Sequence, residues 1–144
     1  MTFIYNLNFK IFNGQTLLME TVKTKSFSLK PGSYDITMIS VQGGLVKYTQ
    51  KIEVKAGEKT PLAVPPMGFL SIRSDPSNCK VIIDDNYEAT PPFNDLPLQP
   101  GKHRIFIEWR TLEVEDEITI DIHDNQKKKL RGFVNNNSYG ISEE

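Results

Sequence analysis

The chain has 144 residues, of which 38% are hydrophobic and 24% charged, and its formal net charge is −1. This is the composition of a globular protein and not of a disordered one, and the length suffices for one ordinary domain or two very small ones. A nearly neutral chain lacks the basic face that DNA or RNA binding demands, and no apolar run approaches the ~20 residues that span a bilayer. The single cysteine, Cys79, has no partner for an intramolecular disulfide and reads as a small buried hydrophobe.

Residues Met1 to Lys10 alternate apolar and polar side chains, which predicts a strand and not a secretory signal. The expected setting is cytoplasmic, or extracytoplasmic if the chain is a fragment of an envelope protein. After Lys30-Pro31-Gly32, a turn signal, Tyr34, Ile36 and Met38 share one face of a strand. Val46 with Tyr48, and Ile52 with Val54, continue the pattern, and Gly43-Gly44 and Ala56-Gly57 separate the runs. Thr60 to Gly68 contains Pro65-Pro66, which favours extended, stiff chain and places a boundary there.

Beyond that boundary the pattern returns. Leu98-Gln99-Pro100-Gly101-Lys102-His103 repeats Leu29-Lys30-Pro31-Gly32-Ser33-Tyr34, with Pro31 and Pro100 69 residues apart. Ile52-Glu53-Val54 matches Ile120-Asp121-Ile122 at an offset of 68. Two matches in order at nearly one offset indicate duplication of a unit too long for a solenoid repeat. In the second copy His103, Ile105, Ile107 and Trp109 share one strand face, and Arg104, Phe106, Glu108 and Arg110 share the other. Ile118, Ile120 and Ile122 form a second apolar face. No amphipathic helix is predicted, and Asp84 to Thr90 is too short and polar for one. The expected organisation is all-β: two tandem small antiparallel β-sandwich domains over 1–64 and 65–133, then a disordered tail over 134–144.

The second copy carries further punctuation. Gly68 opens a strand, Ser74-Asp75-Pro76 makes a turn, and Lys80 to Asp85 forms a strand ending at Asn86. Thr90-Pro91 and the Leu98 to His103 turn follow. Over about 68–132 this frame resembles the PEGA domain family. The motif that names the family is reduced to Pro76, followed by Ser77-Asn78-Cys79 where the family has Glu-Gly-Ala. Asn86 replaces a hairpin glycine, and Asn tolerates the left-handed conformation. The first copy resembles the family only in its second half, since Thr2 to Thr24 lacks the Ser-x-Pro and Thr-Pro turns. The resemblance implies a structural or binding module of larger bacterial or archaeal proteins, often envelope-associated, and it brings no catalytic residue or cofactor.

The residues support the same reading. His103 stands beside a turn, aligned with Tyr34, and reads as packing there. His123 is expected at an exposed strand end. The acidic residues Glu113, Glu115, Asp116, Glu117 and Asp121 lie along a strand, where neighbours point to opposite faces, so they do not converge on calcium. Lys127 to Lys129 with Arg131 is expected to be a solvated strand end. Trp109 belongs with the core residues Ile105 and Ile107, which leaves Phe106 as a surface anchor. The candidate binding surface is therefore Phe106, Arg104, Arg110 and Lys128. The expected function is non-catalytic: protein–protein contact or a structural spacer, with carbohydrate or cell-wall polymer binding as the alternative. The partner is another protein or another part of the parent chain, with no nucleic acid, and a free edge strand allows a homodimer.

Overall fold

The structure, a computed structural model, describes residues 9–21 and 29–144. The chain divides into two compact units, Met1–Pro65 and Pro66–Glu144, parted at the Pro65-Pro66 pair. The strand expected over Met1–Lys10 falls mostly on residues 1–8, which lie outside the described residues, as does most of the segment 22–28 before the first Pro-Gly turn.

In the first unit, β1 (Phe9–Asn13), β2 (Thr16–Thr21), β3 (Gly32–Ser40) and β4 (Lys47–Val54) form one antiparallel sheet in the order β2-β1-β3-β4. Alternation fixes its faces. Phe9, Ile11, Ile36 and Met38 are fully buried on one side. Lys10 and Lys47 flank Ile39 in a single cross-strand row on the other. Beyond β4, the Gln50 amide donates to the Ala63 carbonyl at 3.1 Å and accepts from the Ala63 N–H at 2.9 Å. This side chain ties residues 60–63 back to an edge strand.

The second unit is a β-sandwich. One sheet has the order β10-β9-β6-β7, built from β6 (Lys80–Ile83), β7 (Tyr87–Ala89), β9 (Gly101–Trp109) and β10 (Val114–Ile122). The other has the order β12-β11-β5-β8, built from β5 (Gly68–Asp75), β8 (Phe93–Leu98), β11 (Lys127–Val134) and β12 (Tyr139–Glu143). Every pairing is antiparallel except β5 with β11, which run parallel with Lys127 opposite Phe69. The all-β class thus includes one mixed sheet. Two strands in the same direction need a crossover, and β6 to β10, which form the opposite sheet, provide it. Only a 3-10 turn at Arg110–Leu112 departs from strand and loop among the described residues.

Val81, Ile83, Ile105, Ile107, Trp109, Ile120 and Ile122 from one sheet face Leu70, Ile72, Leu96, Leu98 and Leu130 from the other, all at most 2% exposed. Burying side chains of this size contributes about 1.5–3 kcal/mol each before chain entropy is set against it. Trp109 spans the layers: its indole N–H donates to Ser74 Oγ at 3.0 Å, and that hydroxyl donates to the Pro76 carbonyl at 2.7 Å. The partner satisfies the one polar atom of a large apolar ring.

The tail does not behave as its composition predicts. Residues 134–144 are not a disordered extension, because Tyr139–Glu143 forms β12 against β11, with Val134 opposite Tyr139 and Leu130 opposite Glu143. The Ile141 N–H donates to Asp116 Oδ2 at 3.1 Å, Glu144 N–H donates to the Lys129 carbonyl, and Arg73 pairs with Glu144. A segment too polar to fold alone needs only a free strand edge to complete its backbone hydrogen bonds, and β11 offers one.

Candidate functional site

The two Pro-Gly turns show how local sequence places the exposed face. Tyr34 Oη donates to the Lys30 carbonyl at 2.6 Å, and His103 Nε2 donates to the Gln99 carbonyl at 2.6 Å. Each is a ring two residues after the glycine, reaching back four residues to close the turn. The duplication is therefore visible as a repeated clasp as well as a repeated sequence. His103 is 9% exposed and also donates from Nδ1 to Asp84 Oδ2 at 2.6 Å. Both ring nitrogens are committed to structure, so the ring has no free position for acid–base work.

Asp84 fixes the neighbouring hairpin. Its Oδ1 accepts the Arg104 N–H at 3.0 Å, while its own N–H donates to the Arg104 carbonyl at 2.9 Å. The left-handed residues at this tip are Asp84 (φ 53°) and Asp85 (φ 59°). Asn86 is not the residue that takes the place of a hairpin glycine. Aspartate also tolerates this region, and here its carboxylate gains two donors by adopting it.

On this scaffold β9 projects Arg104, Phe106 and Glu108 outward. Phe106 lies opposite Ile82 on β6 and Glu117 on β10, and Ile82 lies opposite Glu88 on β7. The result is an apolar centre, Ile82 and Phe106, both half-buried, in a frame of charge. Arg104 pairs with Glu117 at 2.6 Å and with Asp85 at 2.7 Å, Lys80 with Glu88 at 2.9 Å, and Arg110 with Glu108 at 3.3 Å. Glu117 and Asp85 raise the Arg104 guanidinium above its ordinary range, and the hydrogen bond from Arg104 lowers the Glu117 carboxyl below its own. Exposed pairs like these contribute little stability, so their effect is to orient long side chains around the apolar centre.

The structure thus joins three of the four sequence-derived residues. Arg104 and Phe106 stand side by side on β9, and Arg110 sits just beyond its end. Phe106 is half-buried by these neighbours and not a free-standing anchor. Lys128 does not join them: it lies on β11, in the opposite sheet, with a side chain only 15% exposed and paired to Glu143 at 3.3 Å. The basic cluster is no solvated strand end, because β11 is an interior strand, bordered by β5 and β12. Sequence reasoning missed Ile82. Its signal is the run Val81-Ile82-Ile83, where strict alternation calls for a polar residue in the middle.

Other reactive groups are poorly placed for chemistry. Burial raises the Cys79 thiol above its ordinary range, against a smaller lowering by its hydrogen bond with Ser74, and so disfavours the thiolate. Among the described residues no three His, Cys, Asp or Glu side chains converge as metal ligands, and no helix is long and apolar enough to cross a membrane.

Residues 67–132 match the family model of the PEGA domain, so the second unit carries a PEGA domain, a non-catalytic module. The match spans β5 through most of β11 and stops before β12. No curated protein and no solved structure matches the chain.

Proposed function

We propose that this chain is a non-catalytic tandem β module that mediates protein–protein contact or spaces other parts of a bacterial multidomain or envelope-associated protein. The observation that carries this reading is the outer face of the β10-β9-β6-β7 sheet. An aromatic and an aliphatic side chain lie there, half-exposed, on a rigid sheet and inside a ring of oriented ion pairs. A protein contact wants an apolar anchor with a charged rim that excludes water and fixes register. The first unit is proposed to be a diverged copy of the second, on the strength of the matched turns and the Tyr34 and His103 clasps. Binding of a cell-wall polymer is the alternative, with Phe106 as the stacking ring.

The test uses the purified chain as bait against cytosolic, membrane and cell-wall fractions of its source organism at two salt concentrations. A stoichiometric protein band that survives the higher salt supports an interaction module. Retention by the wall fraction without a protein band supports the polymer reading. Retention by no fraction contradicts both.

A further inference from the structure

The near-neutral total conceals two oppositely charged units. Residues 1–65 carry eight Lys and Arg against four Asp and Glu, and residues 66–144 carry nine against fourteen, giving formal charges of +4 and −5. In each unit, charge of the prevailing sign coincides with exposed apolar surface.

In the second unit the place is the end of the β9–β10 hairpin. A hollow of about 380 Å³ is lined by Glu108, Trp109, Arg110, Glu113, Val114, Glu115 and Tyr139. Tyr139 (51% exposed) and Leu112 (46%) are the large hydrophobic residues this unit leaves open among its described residues. Glu113 and Glu115 take part in none of its ion pairs. In the first unit the place is the end of the sheet where Lys10, Ile39 and Lys47 form one row, with Val41 (39% exposed) two residues beyond Ile39. Lys47 makes no ion pair with any described residue. Each patch has an apolar centre, and their charges are opposite.

We infer that the acidic patch around Tyr139, Leu112, Glu113 and Glu115 binds the basic patch around Val41, Ile39, Lys10 and Lys47 of a second copy of this chain. The inference rests on the interaction-module reading and names one partner for it. The two surfaces differ, so the contact is heterologous: each bound copy leaves one acidic and one basic patch free, and association continues end to end unless a ring closes. Patches this small give weak, concentration-dependent assembly, steered by charge and sensitive to salt.

The test is sedimentation of the full chain over a concentration series at about 0.1 M and about 1 M NaCl, where the screening length falls from about 10 Å to about 3 Å. The wild type should associate at the lower salt and lose about tenfold in association constant at the higher. Lys10→Glu/Lys47→Glu should remain monomeric, as should Glu113→Lys/Glu115→Lys. Mixing the two variants restores opposite charges across the contact and should restore association, which also shows that both are folded. A wild type that stays monomeric throughout, or a mixture no more associated than its components, overturns the inference. If the chain stays monomeric yet still captures a partner in the fraction experiment, self-association fails and the interaction-module reading stands.

Discussion

Gly68→Ala is the sharpest steric test of the second unit. Gly68 opens β5 with an ordinary backbone conformation, so space alone forbids a side chain there. An added Cβ meets Ile122 Cγ2 at 2.2 Å, the His123 carbonyl oxygen at 2.7 Å and the Gln126 carbonyl oxygen at 3.1 Å. The methyl could turn aside, but Ile122 is 1% exposed and packed. The carbonyls cannot rotate independently, because Phe69 N–H donates to Gln126 O at 2.8 Å and Asn125 N–H donates to Met67 O at 2.7 Å across this junction. Overpacking of a rigid core costs about 1–3 kcal/mol and occasionally more, and two backbone obstacles place this substitution near about 3 kcal/mol. A unit of this size is stable by about 4–12 kcal/mol, and each kcal/mol moves its midpoint by about 4–8 °C. The expected drop is therefore about 12–24 °C. Trp109 is the only tryptophan and lies in the second unit, so its fluorescence follows that unit alone. Gly132→Ala is the comparison: its Cβ meets Trp109 Cζ2 at 2.9 Å, Ser74 Oγ at 3.1 Å and Ile107 Cδ1 at 3.2 Å, all side-chain atoms that can yield. A Gly68→Ala midpoint within a few degrees of wild type, or above that of Gly132→Ala, refutes the reasoning.

Further expectations concern single hydrogen bonds and charges. Ser74→Ala leaves the buried Trp109 N–H without an acceptor and should cost about 1–3 kcal/mol in urea unfolding. Asp84→Ala removes the acceptor for His103 and for the Arg104 N–H, so it should destabilise the unit by a similar amount and raise amide exchange at the β6–β7 hairpin. Deleting Tyr139 to Glu144 should lower the midpoint and deprotect the amides of β11 that β12 covers; an unchanged midpoint would restore the disordered-tail picture. The folded-state Glu117 carboxyl is lowered below its unfolded value, so its contribution is present above the unfolded value and lost as pH falls through the folded one. Glu117→Gln should therefore flatten the acid limb of the stability profile and leave the neutral region nearly unchanged.

The fold was legible wherever local physics decides it. Period-two alternation placed β9 and β10, and the Pro-Gly turns placed the starts of β3 and β9. Trp109 was assigned to the core by parity with Ile105 and Ile107. The failures were tertiary. No local signal shows that residues 139–143 borrow the edge of β11, or that the lysine-rich strand lies between two others. The parallel β5–β11 pair is a long-range choice that alternation does not encode. Part of the candidate surface was legible as well: Phe106 is an apolar residue at an outward position, which is a local anomaly. Its partner Ile82 is the same anomaly on another strand. The pairing of the two, and the exclusion of Lys128, required the sheet register.

The central claim is that the face centred on Phe106 is what the module uses to bind. The direct measurement repeats the fraction capture with Phe106→Ser beside the wild type, after fluorescence of Trp109 has shown equal unfolding midpoints. The account predicts that the stoichiometric band held by the wild type is lost or greatly weakened with Phe106→Ser. An equally intense band from the folded variant would contradict it and move the binding surface off the β10-β9-β6-β7 sheet.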